Sequence, residues 1–220
     1  MTDGRLDPFR RNGSLVRYFL DGELPASDED ILLGLHEHRF RSIERAAGEV
    51  TSVGWVSPGD PSGNEFLREE ICLPSFLRFR MRIDRKRVPP VWMRIHMEAE
   101  IKARGGRRPG PKERREIRAD IEEKLLPRVL PTVRLAEISV DRSKGRLLLF
   151  GTSISVRDEC CALFHKTFGI RLREAGPSEL AESFSLPRER LAVLADLRPC
   201  ELHPWNSGSP APSSPREAEA

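Results

Sequence analysis

Three kinds of side chain could support catalysis or metal binding: a thiol beside a base, a pair of imidazoles, and paired carboxylates. Cys160 and Cys161 precede His165 on a predicted helix, a spacing at which a thiolate could meet a base. That helix is otherwise apolar and offers no acid to orient the imidazole, so we expect a structural role. His36 and His38 lie two residues apart near a helix end, where their side chains point to different faces and cannot easily share a metal ion.

Paired carboxylates occur at Glu69–Glu70 and at Glu122–Glu123. Adjacent side chains diverge on a strand or a helix, so neither pair builds a two-metal nuclease centre by itself. A divalent-metal nuclease is therefore an alternative that requires distant carboxylates to converge. The sequence contains no GxGxxG, GxxxxGK[ST] or HExxH motif. We expect no cofactor, no metal site and no enzymatic activity.

Cationic residues are the more informative group. From Arg78 to Arg118 the chain has fifteen Lys or Arg and five acidic residues, a net charge of +10, although the whole chain carries only +3. Such a segment attracts polyanions, and the alternative is a solvated arginine-rich surface. Within it, Phe76 to Asp84 alternates strictly and predicts a strand whose core face carries Leu77, Phe79, Met81 and Ile83. The opposite face carries Arg78, Arg80 and Arg82 about 7 Å apart, a spacing suited to successive phosphates.

A predicted helical hairpin supplies the second group of cations. Pro89 and Pro90 end the strand and begin a helix that runs to Arg104. The sequence GGRRPGP then interrupts the pattern, and Pro111 begins a second helix with apolar residues at four-residue spacing. These apolar residues are Ile117, Ile121 and Leu125. The tip and the second helix contribute Arg107, Arg108, Lys112, Arg114, Arg115 and Arg118, and the strand end contributes Arg85, Lys86 and Arg87.

The scarcity of aromatic residues indicates which nucleic acid a groove formed by the strand and hairpin cations would bind. Aromatic residues make up 6% of the chain, and Trp55, Trp92 and Trp205 are not interleaved with the basic cluster. Proteins that hold single strands or RNA stack bases on aromatic rings. We therefore expect contacts with the backbone of double-stranded DNA, without sequence preference.

The remaining pattern predicts an α+β fold of antiparallel strands and hairpins with packed helices. Ser27 is a predicted N-cap of a short helix with Ile31, Leu32 and Leu35 on its buried face. Another helix, which precedes the last predicted strand, should end at Gly169. Strands are predicted for Leu15–Leu20, for the β-hairpin Val133–Val140 and Arg146–Phe150, and for Ile170–Arg173.

Composition divides the chain into a body and two ends. We expect a disordered leader over 1–13, a DNA-binding body over 14–176, a short extension over 177–206 and a disordered Pro/Ser-rich tail over 207–220. No apolar run approaches the ~20 residues of a membrane span, and the four cysteines form no CxxC pair. These features predict a cytoplasmic protein without a membrane partner.

Several strings in the same order resemble the RdgC family. They include the segment SVGWVSP from Ser52, Glu98 to Ile101, the hairpin tip from Gly106 to Ile117, and LLPR from Leu125. The small-residue step at Gly151 and the helix end at Phe168-Gly169 continue the match. The resemblance extends over about residues 50 to 175 and, more weakly, back to Leu15.

The resemblance implies a nucleoid-associated homodimer that forms a ring around duplex DNA and restrains filaments of a RecA-type recombinase. By position, the strand and tip cations would face the DNA. The subunit contact would include Leu125, Leu126, Pro127, Arg128 and Leu130.

Two departures from the family pattern bear on the assembly. Family members usually carry an aromatic residue where this chain has Leu130, and they continue with a long C-terminal region that helps close the ring. We therefore expect an open clamp that dimerises through one interface. The alternative is a protein-interaction module that acts on a recombination or phage protein without binding DNA itself.

Overall fold

The computed structural model describes residues 14–46, 48–176, 179–181, 184 and 186–196. The predicted leader and tail lie outside the described residues, as does part of the predicted extension. The chain divides into two compact units, Met1–Ala175 and Gly176–Ala220. None of the described helices is long and apolar enough to cross a membrane.

A six-stranded sheet forms the centre of the first unit, and every neighbouring pair of strands is antiparallel. The strand order is β2-β3-β4-β5-β1-β6. The strands are β1 (Leu15–Asp21), β2 (Thr51–Val56), β3 (Leu77–Arg85), β4 (Thr132–Asp141), β5 (Arg146–Phe150) and β6 (Arg171–Glu174).

The helices of the first unit lie between these strands in the sequence. They are α1 (Asp28–Glu37), α2 (Arg68–Ile71), α3 (Pro90–Ala103), α4 (Pro111–Leu125) and α5 (Ile154–Phe168), with a 3-10 turn at Leu126–Arg128. The second unit contains α6 (Arg188–Asp196) among its described residues. This architecture confirms the predicted α+β fold.

Local sequence explains where α1 begins and where α5 ends. The Ser27 hydroxyl accepts a hydrogen bond from the backbone N–H of Asp30 at 3.0 Å, so Ser27 caps α1 as predicted. Gly169 ends α5 with a φ of 73°, a left-handed conformation that favours glycine.

One face of the sheet, the core face, carries the main hydrophobic core. The four predicted residues of β3 lie buried there against α1 and α5, because alternation places every second side chain on that face. The Trp55 and Phe79 rings are 5.6 Å apart, and the Trp55 indole N–H donates to the Thr167 hydroxyl at 2.8 Å. These contacts fix α5 against β2 and β3.

The strand β2 has no counterpart among the sequence predictions, and Gly54 at its centre allows another segment to pack closely beside it. The segment around Phe40 runs beside β2, and its backbone N–H donates to the Trp55 carbonyl at 2.8 Å. A Cβ atom on Gly54 would lie 2.5 Å from the Phe40 Cα. Glycine is therefore required for this close approach, although glycine generally weakens a strand.

A helical hairpin connects two adjacent strands of the sheet. Arg85 at the end of β3 is the register partner of Thr132 at the start of β4, so the intervening residues leave the sheet and return to the same end of it. The 14 residues of α3 correspond to a length of about 21 Å. The hairpin has its own small core of Val88, Met93, Ile117 and Ile121, with Leu125 packed against it.

Candidate nucleic-acid interface

The tip of the helical hairpin concentrates exposed positive charge. Lys102 to Arg118 contains eight Lys or Arg and two acidic residues. The six cations predicted for the tip and the second helix, here called the tip cations, are all exposed, and no described carboxylate lies within ion-pair distance of any of them. They are Arg107, Arg108, Lys112, Arg114, Arg115 and Arg118. Arg104 differs, since its guanidinium pairs with Glu100 at 3.0 Å and with Glu113 at 3.5 Å. The tip therefore presents six guanidinium or ammonium groups to an external anion.

The helix α4 carries this charge at the end where it is least favourable. Its N-cap is Gly110, which makes no side-chain capping bond, and Lys112, Arg114 and Arg115 follow within the first turns. Each cation near a helix N-terminus opposes the macrodipole at a cost of about 0.3–1 kcal/mol. Local choices that weaken a fold are expected at functional sites. A bound anion at the tip would offset this repulsion.

The three arginines of β3 share the outer face of the sheet, opposite the core face, as the alternation predicts. Two of them are held by carboxylates. Arg80 pairs with Glu137 at 2.9 Å, and their side chains are 14% and 17% exposed. Arg82 makes two 2.8 Å hydrogen bonds to the fully buried Asp84, and its guanidinium lies 4.4 Å from the centre of the Phe40 ring.

These contacts change what the predicted arginine row presents to a ligand. The hydrogen bond to Asp84 raises the pKa of Arg82, so the ion pair is the stable state. Arg78 is half-buried, with no ion-pair partner among the described residues. The outer face therefore does not offer three unpaired guanidinium groups at phosphate spacing.

The cations at the end of β3 differ from one another. Arg85 pairs with Glu159 of α5 at 2.7 Å. Lys86 is buried, and its ammonium group donates to the Ala46 carbonyl at 2.7 Å, which holds it away from an external ligand. Arg87 is exposed. Of these three residues, Arg87 is the one that continues the exposed surface toward the hairpin.

A groove of about 780 Å³ runs along one side of the hairpin and connects its base to its tip. Arg87 and Arg94 line it from the α3 side, and Arg114 and Arg118 line it from α4. Glu98 and Glu122 also lie along it. Arg94 was absent from the predicted site. Arg114 and Arg118 lie four residues apart on α4, a spacing that indicates a cationic helix face.

The six-stranded sheet and the cationic hairpin lie within the region that a protein-family model matches. The model described as "Putative exonuclease, RdgC" matches residues 13–183. The chain belongs to the RdgC family. It is similar to the recombination-associated protein RdgC of Cupriavidus pinatubonensis, with 27% identity over 145 residues, which cover 64% of this chain and 46% of that protein. This RdgC-family chain thus spans about half the length of the curated relative that it matches.

The predicted subunit contact of the RdgC-family chain lies at the base of the hairpin. Leu125 and Leu126 pack partly against the hairpin core. Pro127 and Arg128 are exposed, and Leu130 is 71% exposed. The role of these residues in dimerisation stays a prediction. Leu130 is the most accessible apolar residue of the group.

The side chains considered for catalysis are distributed across the RdgC fold. Burial raises the pKa of the Cys160 thiol, and burial also raises the pKa of Cys161, which disfavours the nucleophilic thiolates. The His38 ring lies 2.9 Å from the Lys166 carbonyl, and Glu70 accepts a hydrogen bond from Ser57 at 2.8 Å. Within the described part of the chain, no three His, Cys, Asp or Glu residues lie close enough together to hold a metal ion.

Proposed function

We propose that this RdgC-family chain binds double-stranded DNA through the phosphate backbone, without sequence preference and without cleaving it, in the context of recombination. The observation that carries the proposal is the group of six exposed, unpaired cations at the hairpin tip. Arginine forks form charge-assisted hydrogen bonds with phosphate oxygens, and each neutralised phosphate releases counterions. Phosphate contacts carry no direct sequence information.

The residue types at the tip favour the duplex over a single strand. Lys102 to Arg118 contains no aromatic residue. Trp92, which is 56% exposed, lies near the opposite end of α3. The tip therefore has no ring on which an unpaired base would stack, whereas duplex binding requires none. Backbone recognition through charge is the better match.

The assembly belongs to the same proposal. A homodimer that associates through Leu125 to Leu130 would present two hairpins to one duplex, as a clamp. Bound along DNA in the cytoplasm, at the nucleoid, such a clamp would compete with a RecA-type recombinase for the duplex. The name of the Cupriavidus relative, a recombination-associated protein, supports this context.

The test is fluorescence anisotropy of labelled duplexes of unrelated sequence at several salt concentrations. If the six tip cations each neutralise one phosphate, log K should fall with a slope of about −5 against log salt. Changing Arg107, Arg108 and Lys112 to Gln should reduce the slope by about 3 for every sequence.

A matched control removes the same charge elsewhere on the surface. Arg45, Lys166 and Arg171 are exposed and lie outside the hairpin. Changing these three to Gln should leave the slope within about half a unit of the wild type, since the salt dependence counts contacted phosphates. Equal losses in the two triple variants, or no binding at low salt, would contradict the proposal.

Catalysis is tested separately, because the family description names an exonuclease. Linear and circular plasmid would be incubated with the protein and either magnesium or manganese. We expect both plasmids to remain intact at protein concentrations that saturate binding. Shortening of the linear plasmid that persists after repurification and requires the divalent ion would replace the binding proposal with a nuclease.

The second candidate function is a protein-interaction module that acts on a recombination or phage protein. The observation that favours it is the apolar surface of α3, where Val91 and Trp92 are each 56% exposed and Ile95 is 48% exposed. Exposed apolar clusters mark protein interfaces. Capture of a recombinase that survives nuclease treatment and is lost in Trp92→Ala would favour this function.

A further inference from the structure

The ends of β2, β3 and β4 form a row of polar side chains beyond the hydrophobic core. Thr51 is the register partner of Arg85, and Arg85 is the register partner of Thr132. Directly opposed residues in antiparallel strands have Cβ atoms about 4.5–5.5 Å apart on the same face. Two hydroxyls therefore flank one guanidinium across three adjacent strands.

These side chains line an open recess of about 390 Å³, which we call the strand-end recess. The buried Ile83 contributes to its wall, and Arg134, the register partner of Ile83, extends the polar row on β4. Arg87 lines the same recess. The recess thus combines three guanidinium groups and two hydroxyls with Lys86, whose ammonium group already donates to the Ala46 carbonyl.

The charge in the strand-end recess is only partly compensated. None of the residues that line it is acidic. Glu159 pairs with Arg85 from α5, at 2.7 Å. Arg87 and Arg134 are exposed, and neither has an ion-pair partner among the described residues. Two guanidinium groups without an ion-pair partner among the described residues therefore line a concave site that has no carboxylate among its lining residues.

We propose that the strand-end recess binds the phosphate group of a phosphate monoester. A monoester carries about −1.5 to −2 charges at pH 7 and three acceptor oxygens, which match two unpaired guanidinium groups and two hydroxyl donors. A recess suits a protruding terminal phosphate, whereas the diesters of a continuous duplex lie along a surface. Arg85 stays paired with Glu159 and leaves Arg87 and Arg134 to bind the phosphate. This site goes beyond the proposed function, since it requires neither the hairpin tip nor a duplex.

The experiment is calorimetric titration of the full chain with inorganic phosphate, at an ionic strength held constant with chloride. We expect saturable binding of one phosphate per chain. Arg134→Gln should weaken it at least tenfold, because it removes a charge-assisted hydrogen bond. Thr132→Val, which keeps the strand shape, should weaken it less. Arg171→Gln, an exposed arginine outside both the hairpin and the recess, is the matched control and should leave phosphate affinity unchanged.

Two results would overturn the proposal: heat that does not saturate with phosphate, or phosphate affinity that is the same in Arg134→Gln and in the wild type. Circular dichroism would establish that Arg134→Gln is folded. Because Arg134 lies in the recess and outside the hairpin, loss of duplex binding in tip variants would concern the proposed function alone.

The source of the phosphate is identified with two otherwise identical duplexes, one with 5′-phosphate ends and one with 5′-hydroxyl ends. Tighter binding of the phosphorylated duplex, with the difference abolished by Arg134→Gln, would identify a DNA end. Equal binding of the two duplexes, together with saturable binding of inorganic phosphate, would identify a small phosphorylated molecule. Both outcomes support a phosphate-monoester site.

Discussion

Arg82 lies on the face of β3 that the alternation predicts to be cationic, yet its partner Asp84 is fully buried and accepts two hydrogen bonds from its guanidinium. Removing one member of such a pair leaves the other desolvated and uncompensated. We expect Asp84→Ala to lower the free energy of unfolding by about 3 kcal/mol, as measured by urea denaturation. Glu123→Ala, at an exposed position on α4, should change it by less than about 0.5 kcal/mol. Similar losses in the two variants would contradict a structural role for the Arg82–Asp84 pair.

The same ion pair predicts how individual arginines contribute to DNA binding. Because the Arg82 guanidinium already donates to Asp84, Arg82→Gln should leave the salt slope of duplex binding unchanged while it lowers stability. Arg107→Gln, at the exposed tip, should reduce the slope by about 0.9, the contribution of one phosphate contact. Anisotropy titrations at a temperature where both variants are folded would check this. A reduced slope in Arg82→Gln would place Arg82 at the DNA.

Asp28 provides a prediction for pH. The hydrogen bond from Arg142, followed by the one from Arg68, holds the pKa of Asp28 below its ordinary value of 3.8. A lowered pKa contributes stability that is present above the ordinary value and is lost as the pH falls through the lowered value. The urea midpoints of the wild type and Asp28→Asn should therefore differ most near pH 7 and converge below about pH 4. A gap that stays constant down to pH 3 would contradict this linkage, and Asp120→Asn on exposed α4 is the control.

At the scale of elements, α4 combines a helix start with charges that oppose it. Lys112→Glu should stabilise α4 by about 1 kcal/mol, since it replaces a repulsion of the macrodipole with an attraction. The same change should weaken duplex binding and lower the salt slope. Amide hydrogen exchange of α4 and anisotropy would measure the two effects. Lys124→Glu, in the last turn, should have the opposite effect on helix stability. Tighter DNA binding by Lys112→Glu would contradict a DNA-binding tip.

The elements that the sequence predicts are those whose pattern is local. The strand β3 and both hairpin helices follow from alternation, proline positions and four-residue spacing, and the structure confirms them. The strand β2 is missed because Gly54 interrupts a short apolar pattern, and glycine is needed there only because Phe40 crosses beside it. That contact is tertiary, so no local pattern contains it.

Ion pairing is the feature of the candidate site that sequence spacing predicts least well. Glu137 lies 57 residues from Arg80 along the chain, and only the register between β3 and β4 makes them direct partners. The pair Arg82–Asp84 was easier to predict from the sequence, because residues two apart on a strand share one face. The exposed tip required no tertiary information, since a protruding loop contributes its charges regardless of the fold around it.

At the scale of the whole molecule, the hairpin and the predicted subunit contact lie on one continuous excursion from the sheet. Leu130, at the end of this excursion, is 71% exposed, so its substitution should leave the folded chain intact. A dimer that presents two hairpins gains affinity because the second contact with DNA is intramolecular. Separating the subunits should therefore weaken duplex binding even though each tip is unchanged.

This reasoning predicts that the wild type is a dimer at micromolar concentration and that Leu130→Asp is a monomer, as measured by light scattering after size exclusion. Leu130→Asp should also bind a long duplex at least tenfold more weakly, because it loses bivalency. Leu33→Asp, a matched change at a 58% exposed leucine on α1, should leave both mass and affinity unchanged. A wild type that is strictly monomeric at micromolar concentration would refute the clamp. Duplex binding by single hairpins would then have to account for the measured affinity.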